Sequence, residues 1–360
     1  MIWFLEGQSS QRDIIQGAQE ALPRHLPILA SHRQHRPEIT SLADTALVEP
    51  SHPRQRLDWV LDMAITRQIR VVQVGHSGQV FEPARAAFAA AGIDLVTGGM
   101  SARTFDLVND KSCFTEYARQ SGLQVVPAIT VHDAEALAAA VDTLRAQQQM
   151  VCVKPAQGIF GLGFWRLSDH ADPFRCFANA DARVVNTRLF IDAYAARTER
   201  KPLLVMPYLA GSECSIDLVV EQGQVVAHAG RRKQGLHQHL FRNGPAVELA
   251  IAAARVFACD GIVNIQTRDD AAGTPHLLEI NPRYSGGIGY TRLAGINLAG
   301  IFACRRLGLP PPAIHWQEDV SFKAITLPVP IDRATPTYRA ITTSDARPAK
   351  PMKEPTPWLN

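Results

Sequence analysis

Two runs of alternating polar and apolar residues, IVNIQTR (262–268) and HLLEIN (276–281), flank the turn-forming segment DDAAGTP. Period-two alternation on both sides of a Gly/Pro turn restricts this stretch to an antiparallel hairpin. On its first strand Asn264, Gln266 and Arg268 alternate with Val263, Ile265 and Thr267. On its second, Glu279 and Asn281, continued by Arg283, share one face, and Leu278 and Ile280 take the other. A solvated outer face would account for either strand alone. Together they allow Gln266 to lie on the face of Glu279 and Asn281, in a register that the sequence does not fix. Two amide oxygens and one carboxylate form a hard-oxygen set suited to Mg²⁺ shared with phosphates, because Mg²⁺ takes few protein ligands. Arg283 on the same face would neutralise a phosphoryl group. Ser285-Gly286-Gly287 would then bring backbone close to a second substrate, with Arg231 and His237 of GRRKQGLHQH as candidates for the same pocket.

The first hundred residues read as strands alternating with helices: MIWFLEG, a helix in QRDIIQGAQEALP, LPILASH, TALVEP, a helix from about Arg54 to Gln68, IRVVQVG, a helix from Glu82 to Ala91, and IDLVTGG. Such alternation predicts a parallel sheet wrapped by helices. Gly75, Gly98 and Gly99 fall at carboxyl ends of strands, where open α/β sheets bind ligands. No G-x-G-x-x-G follows the first strand, which argues against a nicotinamide oxidoreductase.

Lys+Arg 37 against Asp+Glu 34 leaves a charge of +3, too even to argue for nucleic acid or a membrane surface as partner. No apolar run approaches the roughly 20 residues needed to span a bilayer, and the start MIWFLEGQ lacks the basic region of a secretory signal. Cysteines 113, 152, 176, 214, 259 and 304 are scattered, without a C-x-x-C pair, and are expected to be reduced. These features point to the cytoplasm.

Beyond Asn109 three further segments carry chemistry. NDKSCFTEYARQSG is an amphipathic helix capped by Asp110 and stopped at Gly122. In VCVKPAQGIFGLGF, Lys154 ends an apolar strand and Gly158, Gly161 and Gly163 follow in a loop whose N–H groups could approach phosphates. The lysine precedes the glycines, so this is not a Walker loop. In VMPYLAGSE an apolar strand runs into Pro207, Tyr208 and Leu209, a hinge whose backbone could read a base edge, with Glu213 placed for ribose hydroxyls. Arg333 onward is rich in Pro, Thr and Lys and is expected to be extended.

NDK, VKPAQGIFGLGF, MPYLAGSE and NIQT…LLEINPR followed by SGG, in this order over about Asp110 to Gly308, resemble the ATP-grasp superfamily. The resemblance implies an α/β and α+β chain: a parallel α/β domain at 1–108, two ATP-grasp lobes at 109–205 and 206–332, and a Pro-rich tail at 333–360. It implies that Lys111 and Lys154 hold the α- and β-phosphates of ATP. The peptide groups of Pro207 and Leu209, in the hinge Met206–Leu209, hold adenine, and Glu213 holds ribose. Gln266, Glu279 and Asn281 hold Mg²⁺, with Mn²⁺ as an alternative, and Arg283 the γ-phosphate. Met206 stands where many members carry an acidic residue. Gln266 stands where many use a carboxylate, as in the carbamoyl-phosphate-synthase-like branch. ADTALVEPS loosely resembles ATP-grasp proteins of tellurite-resistance operons.

The chemistry implied is ADP-forming ligation. A small-molecule carboxylic acid attacks the γ-phosphate, and an amine or similar nucleophile displaces phosphate from the acyl phosphate. Arg283, Lys154 and Arg231 are the candidate catalytic residues. A homodimer is compatible with this reading. The alternative is an ATP-binding regulator or scaffold that does not turn over.

Overall fold

The computed structural model describes residues 1–147, 149–156 and 163–325. Gly158, Gly161 and the 333–360 tail lie outside the described residues.

Strands β1 (Ile2–Phe4), β2 (Ile28–His32), β3 (Thr45–Val48), β4 (Val71–Gln73) and β5 (Asp94–Val96) form an all-parallel sheet in the order β3-β2-β1-β4-β5. Their apolar character follows from burial on both faces. Trp3, Leu29, Val72 and Leu95 pack under the helix Pro53–Thr66 and under Phe81 and Phe88. Ile2, Phe4 and Ala30 pack with Ile14 and Ile15 of the helix Gln11–Ala21. The helix expected from Glu82 to Ala91 is broken into Gly78–Phe81, a 3₁₀ turn Glu82–Ala84 and Arg85–Ala90. Pro83 sits at the break and has no N–H to continue an α-helical ladder.

The second sheet runs β10 (Val184–Asn186), β9 (Trp165–Ser168), β8 (Val151–Pro155), β11 (Leu203–Pro207), β7 (Ile129–Val131). β11 extends to Pro207, so the step 205/206 lies inside this strand. The third sheet is antiparallel in the order β16 (Pro275–Asn281), β15 (Cys259–Asp269), β12 (Glu213–Glu221), β13 (Gln224–Gln234), β14 (His237–Phe241), β17 (Ser321–Phe322). Gln222 and Gly223, both with positive φ, close the β12–β13 turn. Helix Pro245–Val256 opens on proline and lays Ala246, Val247, Ala250, Ala253 and Ala254 on this sheet.

Gly98 and Gly99 form β6, which pairs with Cys259 and Asp260 of β15 instead of facing a ligand. A side chain at Gly98 would overlap the Pro282 carbonyl, so the glycines serve close approach between the two ends of the molecule. Val219, Ala229, Ile262 and Tyr284 share one core with Ile2, Phe4 and Phe302. The first and third sheets are thereby one packed body. Among the described residues no helix is long and apolar enough to cross a membrane.

Candidate functional site

Register fixes the oxygen cluster. Gln266 stands opposite Glu279 and Asn264 opposite Asn281 across β15 and β16. Asn281 donates from Nδ2 to Glu279 Oε1 at 2.9 Å, and Arg283 donates from Nη2 to Asn281 Oδ1 at 3.2 Å. The alternation itself is interrupted. A bulge between Gln266 and Thr267 pairs Thr267 with Leu277, so Leu277 and Ile280 take the core face and Leu278 turns toward the cleft. Plain alternation puts Leu278 beside Ile280, and the bulge is what separates them. Likewise β16 ends at Asn281, and Arg283 reaches the site from a tight turn in which its N–H donates to the Asn281 carbonyl at 2.7 Å.

A cleft of about 1330 Å³ opens over this cluster, lined by Lys111, Lys154, Met206 to Leu209, Glu213, Gln266, Glu279, Asn281 and Arg283. Lys111 is the first residue of the helix Lys111–Gln120, held there because the Asp110 carboxylate accepts the Ser112 and Cys113 N–H groups, both at 2.9 Å. Lys154 comes from β8 of the second sheet. Burial lowers the proton affinity of Lys111, Lys154 and Arg283, Lys154 being lowered further by Lys111, and Glu279 opposes the shift in all three. These three cations line the cleft with Glu279, and Asp110 acts on Lys111 as well.

Met206 is buried with Val126 and Cys152, and Tyr208, Leu209, Phe164 and Leu278 pack on this group to give an apolar wall. Tyr208 donates its N–H to the Met150 carbonyl at 2.6 Å. Its ring lies between the guanidiniums of Arg166, 5.1 Å from the centroid, and Arg268, 5.2 Å. Glu213 stands at the cleft mouth, its carboxylate 3.6 Å from Arg268 Nη1. Gly163 has φ +75, and a Cβ there would press on the Pro155 ring at 2.8 Å.

Arg231 and His237 are not on the cleft wall. His237 is exposed at the start of β14. Arg231 is 8% exposed beneath Ser285, donating to Ser215 Oγ and Ser285 Oγ, each at 2.9 Å, and to Gln238 Oε1 at 3.0 Å. Its charge meets Asp217, fully buried on β12, at 3.4 Å. Asp217 also accepts from Asn264 Nδ2 and Ser285 Oγ, each at 3.0 Å. This pair supports Ser285 and Gly286, which do line the cleft. Asp217 escaped the sequence reading, although a lone carboxylate two residues from Ser215 inside ECSIDLVV was a visible signal. Gln8, His76 and Ser77, which close the cleft from the first sheet, left none.

Among the described residues no three His, Cys, Asp or Glu side chains gather as a metal site. The candidate metal set is therefore Glu279 with amide oxygens of Gln266 and Asn281. It fits a cation whose remaining ligands come from a polyphosphate, given the three cations facing the same space.

The family described as "ATP-grasp in the biosynthetic pathway with Ter operon" matches residues 199–328, which lie downstream of the ADTALVEPS segment. No curated protein sequence matches the chain. Among solved structures it is similar to carboxyaminoimidazole ribonucleotide synthase from Aspergillus clavatus complexed with ATP, at 16% identity and TM-score 0.64 over 89% of this chain and 79% of that one. Biotin carboxylase from Campylobacter jejuni superposes at 16% identity and TM-score 0.59, covering 87% and 72%. L-amino acid ligase from Bacillus licheniformis does so at 15% and 0.55, covering 86% and 74%. With the parallel first sheet and the two further sheets around one cleft, the chain has the ATP-grasp fold, and the family model covers its residues 199–328.

Proposed function

We propose that the protein is an ADP-forming ligase that activates a small-molecule carboxylate as an acyl phosphate for an amine or similar nucleophile. One observation carries the reading: Lys111, Lys154 and Arg283 line one cleft with Glu279, whose charge acts on all three, and the other end of the cleft is apolar. Such a site suits a nucleoside triphosphate, which brings a polyphosphate for the cations together with a base for the apolar wall. The base lies against Met206, Tyr208 and Leu278, the phosphates against Lys111 and Lys154, and the terminal phosphoryl group against Arg283. Gln266, Glu279 and Asn281 would hold Mg²⁺, which when bound shares the phosphate charge. Arg231 acts from below by holding Ser285, and not on the substrate.

Charge gathered at the terminal phosphoryl group stabilises transfer there and does little for attack at the α-phosphorus. ADP and phosphate are therefore the expected products. The structural neighbours, named as a synthase, a carboxylase and a ligase, support carboxylate activation in general terms. The test is a screen of amino acids and carboxylic acids for stimulated ADP release, with hydroxylamine to trap the acyl phosphate as a hydroxamate. AMP formation would refute the reading. Mg·ATP binding with no stimulated turnover by any acid would favour a scaffold.

A further inference from the structure

The carboxyl edge of the parallel sheet brings to the cleft Gln8, after β1, and the segment 76–79, after β4. Gly75 and Gly78 seat that segment by close approach. A side chain at Gly75 would overlap the Tyr284 hydroxyl and the Glu6 carbonyl, and one at Gly78 would overlap the Thr97 carbonyl. Between the two glycines Ser77 has left-handed backbone, φ 66 and ψ 39, which is uncommon for a residue with a side chain. Ser77 fixes the neighbouring ring: His76 Nδ1 lies 2.7 Å from Ser77 Oγ. Among the described residues His76 Nε2 has no hydrogen-bond partner, and the residue lines the cleft together with Arg283. Backbone strain at a residue that orients a titratable ring in a cleft is a common sign of a functional site.

The proposed ligation needs such a ring, because the amine that displaces phosphate must give up a proton. The carboxylates of the cleft are otherwise placed. Asp110 caps its helix, Glu213 pairs with Arg268 at the mouth, Glu279 accepts from Asn281, and Asp106 is exposed on the helix Ala102–Asn109. His76 is half-buried. Burial first, and then the Arg283 charge, lower its proton affinity; Glu6 opposes this, and Arg33 and Arg56 add to it, so the ring is mainly neutral at neutral pH. We propose that His76 is the general base for the amine. The amine nitrogen attacks the acyl carbon, the carbon–oxygen bond to phosphate breaks and phosphate leaves with the electron pair. The proton shed by nitrogen passes to His76 Nε2. Ser77 Oγ selects the tautomer that serves, by accepting from a protonated Nδ1. The assignment rests on the ligase reading above and brings a residue of the first sheet into the chemistry of a site otherwise built from the other two.

The test uses the acid that gives the largest stimulated ADP release in the screen above, with two nucleophiles as probes. Ammonia is the amine, and hydroxylamine is a weaker base that needs less help to lose its proton. His76→Gln should lower amide formation from ammonia about a hundredfold and hydroxamate formation far less, with Mg·ATP affinity by calorimetry unchanged. The ratio of wild-type to variant amide formation cancels the ionisation of ammonia itself, and it should fall at acid pH as His76 becomes protonated. Imidazole added to His76→Gly should restore part of the amide rate. Equal amide formation in wild type and His76→Gln would overturn the assignment and leave the ligase reading intact. Equal losses with ammonia and hydroxylamine would also overturn it, since His76 would then act before the nucleophile enters. Failure of every acid to stimulate ADP release by wild type would remove the ligase reading and the assignment together.

Discussion

Gln266 and Glu279 face each other across β15 and β16, and the bulge begins immediately after Gln266. The bulge lets one strand present a carboxylate and, at the preceding position, an apolar side chain to the same cleft. Glu279 lies among Lys111, Lys154 and Arg283, and Leu278 packs on the wall built on Met206 and Cys152.

Glu279→Gln should remove the Mg²⁺ dependence of ATP binding while leaving the fold intact. The replacement is nearly isosteric and keeps an acceptor for Asn281 Nδ2, so the variant should fold, with a lowered unfolding midpoint because Lys111, Lys154 and Arg283 lose the charge that offsets their burial. Metal titrations of nucleotide binding, with urea unfolding as control, check this. An unfolded variant, or an unchanged Mg²⁺ dependence, would contradict the assignment.

Asp217→Ala should be among the most destabilising substitutions in the third sheet. It leaves Arg231, 8% exposed, without its charge partner, and truncating one member of a buried pair costs about 3–5 kcal/mol. Asp217→Asn keeps the shape and one acceptor for Asn264 and Ser285, so its loss should be smaller. Urea denaturation of both variants gives the comparison, and equal stability of wild type and Asp217→Ala would show that the pair contributes nothing.

The hairpin was legible because period-two alternation and a Gly/Pro turn are local signals, and so was the Asp110 cap. What local pattern does not encode is a bulge, since one extra residue shifts every later side chain without altering composition. Long-range placement was equally hidden. Nothing in GRRKQ says that Arg231 turns inward to Asp217 while Lys233, two residues on, reaches the cleft. Gly98 and Gly99 read as a ligand edge because their use, a seam against β15, depends on a strand more than 150 residues away in sequence.

Tyr284 supplies a third prediction. Its hydroxyl is buried, has no hydrogen-bond partner among the described residues, and occupies the space a Cβ would need at both Gly7 and Gly75. Burial pushes its proton affinity far up, so it stays neutral. Tyr284→Phe should be neutral or stabilising by about 1 kcal/mol, because it deletes an unpaired buried polar group. Gly75→Ala should destabilise through overlap with that hydroxyl and with the Glu6 carbonyl, and Tyr284→Phe should relieve part of the loss. Additive effects in the double variant, measured by thermal unfolding, would show that the two sites are not in contact.

Lys154 gives a pH-dependent prediction. Burial, and then the Lys111 charge, hold its pKa below the ordinary lysine value of 10.5. In the nucleotide-free protein the unfolded chain therefore binds more protons than the folded one across the window between the lowered value and 10.5. The penalty of the buried charge is fully present below that window, so stability contributed by this group rises with pH through it. A polyphosphate reverses the effect by favouring charged Lys154. Nucleotide binding at alkaline pH should then take up protons, and Mg·ATP affinity should fall as the pH rises. Calorimetry in two buffers of different ionisation enthalpy measures the uptake directly. Lys154→Ala should bind Mg·ATP at least about tenfold more weakly and show reduced uptake, the remainder belonging to Lys111, whose pKa is also lowered by burial. Proton release on binding would contradict the phosphate contact. Equal affinity in Lys154→Ala would make Lys154 a lysine of the wall and not of the site.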